Sequence, residues 1–351
     1  MLFSNVYIEG ISSYLPNEDE GLGETLSSEA LEVRLSDVYE GLKLPFGRLE
    51  LMTGIKERKL WPTKTRPSDL ATKAANKCIE KFGIEKSDID QLIHASVCRD
   101  FLEPSTASVV HHNLGLKSNS MIFDLSNACL GVVSSMTIAA QLIETGAIKK
   151  CLIVSGENGG PLVEQTIQTL KQKYANKELT RKNIKKYLAN LTIGSAAIAV
   201  CLSHKDYCKN PKALQILSST TQTDSSANIL CSGDGDTSSL MMETDSEALM
   251  HAGIALAKET WKSFQEELPI NFDYVVTHQV GVAHEKLTLE SLGLSNTKTE
   301  RTYPELGNTG SAALPITLLK LIDNHEILPG QKIGLLGIGS GLTSTMMSIK
   351  C

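Results

Sequence analysis

The chain has 351 residues, 41% of them hydrophobic and 21% charged, with 26 Gly and 11 Pro, which supports a folded core and excludes disordered, collagen-like and low-complexity architectures. Its 34 Lys and Arg against 40 Asp and Glu give a net charge of −6, a field that repels phosphate backbones, so nucleic acid is excluded as an expected partner. The length exceeds the ~100–200 residues of a usual domain and calls for two domains or a duplicated α/β unit.

The first ten residues, MLFSNVYIEG, lack a basic stretch ahead of an apolar one, so no secretory signal is expected. No run reaches the ~18 apolar residues of a membrane span. The eight cysteines, Cys78, Cys98, Cys129, Cys151, Cys201, Cys208, Cys231 and Cys351, form no Cys-x-x-Cys pair and no zinc-ligand spacing. Reduced cytoplasmic thiols and no structural metal are therefore expected.

Along the chain, Leu70–Phe82 is read as a helix that leads into the apolar strand LIHASV, ending near Val97. MIFDLSNACLGVVSSM then turns from strand to helix, Ala128–Ile143, and CLIVSGENGG is a strand ending in glycines. Residues 158–212 form a polar, Lys-rich excursion containing the strand IGSAAIAVCLS, and its first part, about 158–190, is read as an inserted cap over a site. The basic run Lys171–Lys186 is read as a solvated helical face, with an acidic carrier or a CoA phosphate as the alternative partner. Leu249–Phe264 is again helical and leads to the strand YVVTHQV, ending at Val280. ELGNTGSAALP then opens a helix, Ala312–Ile322, followed by the strand and glycines of GLLGIGSG.

Four elements thus recur in one order. Asn127 and Asn308 are 308 − 127 = 181 apart and Asp90 and Asp273 are 273 − 90 = 183 apart, so the landmarks keep nearly one offset. Alternating helices and short apolar strands imply mostly parallel sheets covered by helices. Neither Ala128–Ile143 nor Ala312–Ile322 has a continuous charged face, which places both in a central layer. The expected fold is an α/β five-layered αβαβα sandwich made of two halves, 1–205 and 206–351.

Cys129 lies where a strand becomes a helix. The positive end of the helix and its free N–H groups favour a thiolate there, making a nucleophile; a small core cysteine is the alternative reading. His278 ends the strand YVVTHQV, and Asn308 sits in the turn of ELGNTGSAALP. Strand ends of this kind surround the site in parallel α/β sheets. A Cys, a His and an Asn from three of them make an acyl-thioester constellation: thiolate attack, a proton-shuttling imidazole, and N–H donors for an oxyanion or enolate.

SNACLG, THQVG, ELGNTGSAALP, the terminal GIGSGLT and the earlier TGIKER (Thr53–Arg58), in this order over nearly the whole chain, resemble the thiolase superfamily and within it the ketoacyl synthase III type of condensing enzyme. The resemblance implies a homodimer with a thiolase-like αβαβα fold. Cys129 would accept an acyl group from an acyl thioester, and His278 with Asn308 would bind the second thioester's carbonyl. The backbone N–H groups of Cys129 and Ser340 would form the oxyanion hole. No cofactor would be permanently bound, with CoA or phosphopantetheine thioesters as substrates.

The carrier-protein-dependent initiators of that group usually read HQAN, where this chain has His278-Gln279-Val280-Gly281, and usually carry an apolar residue at Glu103. Together with VCRDFLEPSTAS, these departures are similar to the bacterial enzymes that condense two long-chain acyl-CoAs head to head in olefin biosynthesis. A carboxylate in an apolar tunnel has a raised pKa and can remove an α-carbon proton. By the family parallel, Glu103 would be that base, acting on the partner subunit's site; a solvated loop Glu beside Asp100 is the alternative reading. The alternatives are a decarboxylating ketoacyl synthase III using acyl carrier protein, an acyltransferase or thioesterase on the same residues, and a non-enzymatic scaffold.

Overall fold

The order of helices and strands runs through the chain twice. β1 (Val6–Tyr14) is followed by an excursion of β2 (Glu24–Ser27), α1 (Ser28–Arg34), α2 (Ser36–Gly41), α3 (Arg48–Thr53) and β3 (Glu57–Leu60). Then come α4 (Pro67–Phe82), β4 (Gln91–Ala95), α5 (Thr106–Leu114), β5 (Met121–Leu125), α6 (Gly131–Glu144), β6 (Lys150–Glu157), α7 (Gly160–Ala175) and β7 (Ala196–His204). The second round is β8 (Leu214–Thr223), the hairpin β9 (Cys231–Asp234) and β10 (Met241–Thr244), α8 (Ser246–Glu267), β11 (Tyr274–Thr277), α9 (Val282–Ser291) and β12 (Lys298–Thr299). It closes with α10 (Tyr303–Leu306), α11 (Ala313–Asn324), β13 (Lys332–Gly339) and β14 (Thr343–Lys350). The computed structural model describes residues 1–19, 22–234 and 241–351.

Ten strands align as β12-β11-β13-β14-β8-β1-β7-β6-β4-β5. β1 and β8 meet through two residue pairs, Tyr7 with Gln215 and Ile8 with Leu214. That seam divides the array into two five-stranded sheets of mirrored order. In each, the outer three strands are parallel and the two nearest the seam antiparallel. α4 and α5 cover one sheet, α8 and α9 cover the other, and α6 and α11 lie between them, giving the five layers.

The chemistry of the central layer follows from its sequence. α6 and α11 contribute Val132, Val133, Met136, Ala139, Leu314 and Leu318, all buried, to a core shared with both sheets. Small residues let the helices approach, and each fully buried aliphatic side chain is worth ~1.5–3 kcal/mol. The outer helices bury one face only. In α4, Leu70, Ala71, Ala74, Ala75 and Cys78 face the sheet, Pro67 opens the helix and Gly83, at φ 61°, closes it.

The two landmark aspartates do the same work in each half. Asp90 Oδ2 accepts from Lys149 N at 2.7 Å while its own N–H donates to Lys150 O at 3.0 Å. Asp273 Oδ2 accepts from Lys332 N at 2.8 Å while its N–H donates to Lys332 O at 2.9 Å. Each pins the start of one parallel strand to its neighbour. The insertion between β6 and β7 forms α7 and a 3-10 stretch, Asn183–Thr192, and shares a separate core with the first excursion through Leu31, Leu35, Leu49, Val163, Leu170 and Leu191. The basic run is therefore not one helical face: α7 ends at Ala175 and the chain turns before the 3-10 stretch.

Candidate active site

β5 ends at Leu125 and α6 begins at Gly131, so five residues turn the chain and present Cys129 just ahead of the helix. The turn is strained: Ala128 has φ 44°, a left-handed conformation that costs a residue with a Cβ roughly 1–2 kcal/mol. It is held by Leu130 N donating to Asn127 O at 2.9 Å, by Asn127 Nδ2 donating to Ser134 Oγ at 2.8 Å, and by Ser311 Oγ donating to Ala128 O at 2.6 Å.

The helix end does not produce a thiolate. Burial first, and then the Glu157 carboxylate and the neighbouring Cys231, push the Cys129 thiol up to about 12, against hydrogen bonds from the Asn308 side chain and its own backbone N–H. Burial and the two neighbouring groups thus oppose the thiolate that a place ahead of a helix favours.

His278 follows the last residue of β11, its N–H donating to Leu336 O at 3.1 Å. It is 6% exposed, and burial, together with His284, lowers its pKa to about 3. His284, on α9, is half-buried, its ring edge-on to that of His278 with 5.7 Å between centroids, and burial lowers its pKa to about 4. Both imidazoles are neutral at neutral pH. Beyond His278, Gln279 fixes the bend by donating to Thr277 O at 2.8 Å and accepting from Thr302 N at 2.9 Å. Gly281 has φ 143°, and a Cβ there would lie 2.7 Å from Thr53 O, so the THQVG and TGIKER segments are packed backbone to backbone.

Asn308 sits between Gly307 (φ 69°) and Gly310 (φ 58°). Its N–H donates to Thr192 O and its carbonyl accepts from Gly194 N, both at 2.9 Å, so the end of the inserted segment braces this turn. Its Oδ1 accepts from Gly310 N at 3.1 Å, and its side chain acts on the Cys129 thiol in the direction that lowers the thiol's pKa. Ser340 occupies the turn between β13 and β14; the preceding Gly339 packs on the Leu130 side chain, where a Cβ would lie 3.0 Å from Leu130 Cγ.

Glu103 stands apart from this cluster. In its own chain it is exposed, as are Val97, Phe101 and Leu102 at 57%, 37% and 89%, so the chain does not itself surround the carboxylate with apolar atoms. The base of this segment is fixed by Asp100, which accepts from Ser68 N at 2.9 Å.

Glu157 and Ser311 were not legible as site residues. Glu157 ends β6 at 3% exposure and accepts from Val97 N (3.0 Å), Cys98 N (3.1 Å) and Ser311 N (2.9 Å), partners scattered through the sequence. The signal was a carboxylate among glycines at a strand end, SGENGG, where an unpaired Glu has no packing purpose. Two open depressions of about 550 and 500 Å3 are lined by none of Cys129, His278, Asn308 and Glu103.

The residues available are a thiol in the turn after β5, an imidazole just past β11 and a side-chain amide in the turn after α10 that acts on the thiol. Such a set suits attack on a thioester carbonyl with the thiol proton passing to the imidazole.

Comparison with known proteins gives a family model described as "Thiolase, N-terminal domain" over residues 50–205 and one described as "3-Oxoacyl-[acyl-carrier-protein (ACP)] synthase III C terminal" over residues 268–351. The chain is 34% identical to the acyl-CoA:acyl-CoA alkyltransferase of Shewanella oneidensis, covering 100% of both chains, and 35% identical to that of Xanthomonas campestris, covering 99% of both. A crystal structure of Xanthomonas campestris OleA with a Cys-to-Ala substitution superposes with a TM-score of 0.92 at 34% identity, covering 100% of this chain and 98% of that one. Other structures of that protein carry Glu-to-Asp, Glu-to-Gln and His-to-Ala substitutions, and a Cys-to-Ser form holds lauric acid and lauroyl-CoA.

Proposed function

The chain belongs to the thiolase-like condensing enzymes, in the family of its acyl-CoA:acyl-CoA alkyltransferase relatives, and on that premise we propose that it joins two fatty acyl-CoA molecules by Claisen condensation. The observation that carries the reading is the Asn308 side chain acting on the Cys129 thiol, with His278 just past β11, in a chain related to those enzymes over its whole length.

Cys129 Sγ attacks the carbonyl of one acyl-CoA. An S–C bond forms, the bond to the CoA sulfur breaks, and the thiol proton passes by way of His278 to the leaving CoA thiolate. The neutral state of both groups makes this a transfer concerted with attack, since neither is ionised beforehand. The backbone N–H groups of Cys129 and Ser340 receive the negative oxygen. A second acyl-CoA then loses its α-proton to Glu103 of the partner subunit, with His278 and Asn308 donating to its enolate oxygen. The carbanion attacks the acyl-Cys129 carbonyl; a C–C bond forms and the Cys129 sulfur leaves, taking up the proton held by Glu103. Two acyl-CoA molecules give one β-ketoacyl-CoA and one CoA, and hydrolysis of the product yields a β-keto acid.

Support for the Glu103 role comes from spacing: the substituted Glu and Cys in the OleA structures stand 26 positions apart, as do Glu103 and Cys129 (129 − 103 = 26). The exposed apolar residues beside Glu103 fit a surface covered by a second copy, so the working form is taken as a homodimer. The enzyme is taken as cytoplasmic, with CoA thioesters as substrates and no permanently bound cofactor; no helix among the described residues is long and apolar enough to cross a membrane.

Incubating the protein with myristoyl-CoA and following products by mass spectrometry tests the reaction. A β-keto acid carrying both chains is expected, and release of only CoA and myristic acid rejects condensation. The second reading, a decarboxylating synthase III, rests on the match of residues 268–351 and predicts that Glu103→Ala keeps full activity with malonyl thioesters.

A further inference from the structure

Glu157 is a buried carboxylate that the mechanism above does not use. Among the described residues it has no ion-pair partner. A carboxylate withdrawn from water without a cation is expensive, and a fold keeps one only where several donors converge on it. Here three backbone N–H groups do so, from two segments far apart in sequence: Val97 and Cys98 just past β4, and Ser311 before α11. The turn carrying Asn308 is shaped around it. Gly310 has φ 58°, and a Cβ on it would lie 2.8 Å from Glu157 Oε1, so the turn approaches the carboxylate as closely as glycine allows. From Ser311 the contact continues to the nucleophile, because its Oγ donates to Ala128 O at 2.6 Å.

We propose that Glu157 is a positioning residue of the acyl-transfer site, a buried anionic clamp that holds the Cys129 elbow and the Asn308 turn in register with the root of the segment bearing Glu103. Its role in condensation rests on the function proposed above; its role as a clamp does not. Because Val97 and Cys98 begin the stretch that reaches Glu103, one carboxylate joins a protomer's own nucleophile to the base it lends to its partner. The clamp also leaves an electrostatic mark. The titratable groups acting on Cys129 are Glu157 and Cys231, and those on which Glu157 acts are Cys98, Cys129 and His94. An anion beside Cys129 opposes thiolate formation, so the sulfur is kept protonated until an acyl-CoA carbonyl is there to accept it.

Glu157→Gln separates charge from shape. The amide oxygen can still accept from Val97 and Ser311, whereas its NH2 meets the Cys98 N–H donor to donor. Two readouts need no condensing activity. Iodoacetamide alkylation of Cys129, followed by peptide mass, should proceed about tenfold faster at pH 8 in Glu157→Gln, the effect of a downward shift of about one pH unit. Amide hydrogen exchange should quicken in peptides spanning 97–103 and 306–312, less in Glu157→Asp than in Glu157→Gln, because Asp keeps the charge. A third readout is turnover: kcat with myristoyl-CoA should fall about a hundredfold in Glu157→Gln with KM little changed, the effect of a misplaced reacting geometry. An unaltered alkylation profile together with unaltered exchange in both peptides overturns the clamp. Failure of wild-type protein to condense myristoyl-CoA, with the alkylation and exchange differences intact, rejects the function and leaves the clamp standing.

Discussion

A thiol held at about 12 fixes how the enzyme behaves before it meets substrate. At pH 8 a cysteine at the ordinary value near 9 is roughly one-tenth thiolate, whereas one at 12 is ionised about once in ten thousand, so alkylation by iodoacetamide should be some thousandfold slower than for an exposed thiol. The assay is a pH series from 6 to 10.5 with substrate-free protein, scored on the peptide containing Cys129. The rate should still rise tenfold per pH unit at the upper end, without a plateau. A plateau below about pH 9 refutes the reasoning, because it would mean that the helix end and the Asn308 amide outweigh burial and Glu157. With the sulfur's pKa raised and that of His278 lowered, the proposed route passes the thiol proton as the thioester carbonyl is engaged.

Four further outcomes follow from the structure. Mixing Cys129→Ala and Glu103→Ala protomers, each inactive alone, should restore about a quarter of wild-type activity, since half of randomly mixed dimers carry one intact composite site; no restoration would place both residues in one protomer's service. Gly310→Ala should lower stability by roughly 1–2 kcal/mol in urea unfolding, because φ 58° and the 2.8 Å approach to Glu157 both oppose a Cβ. In the buried pair of Lys150 and Glu9, 1% and 0% exposed, Lys150→Met should cost about 3–5 kcal/mol while the double change with Glu9→Gln costs less. Burial alone would raise the Glu9 pKa, but hydrogen bonds from Lys150, Ser203 and the Lys209 N–H together bring it below its usual value. That contribution is present above the unfolded value of 4.5 and lost as pH falls through the lower folded one, so Glu9→Gln should flatten the acid limb of the stability curve measured by denaturant titration.

The duplication was readable because Asp90 and Asp273 pin equivalent strands and so had to stay at one offset, and because the central helices need small, uncharged residues. Short motifs single out Cys129, His278 and Asn308 in the sequence, and the turns after β5, β11 and α10 that carry them follow from local glycines and small residues. The protonation state of Cys129 was not, since it depends on how deeply the sulfur is withdrawn from water and on a carboxylate 28 positions later (157 − 129 = 28). Glu157 itself leaves no periodic trace: its donors are backbone N–H groups, which every residue type offers alike. The placement of His284 against His278 was equally hidden, because it depends on the bend that Gln279 and Gly281 impose between strand and helix.

The mirrored sheets carry a price in lost symmetry. At the offset of 181, Asn127 corresponds to Asn308 and Cys129 to Gly310 (129 + 181 = 310), so the same turn occurs twice with different duties. One asparagine ties down its own helix through Ser134, while its twin addresses the sulfur; one turn keeps a side chain to react, while the other has given it up to make room. The proposed site thus draws its thiol from the first half and its imidazole and amide from the second, so neither half holds the full set.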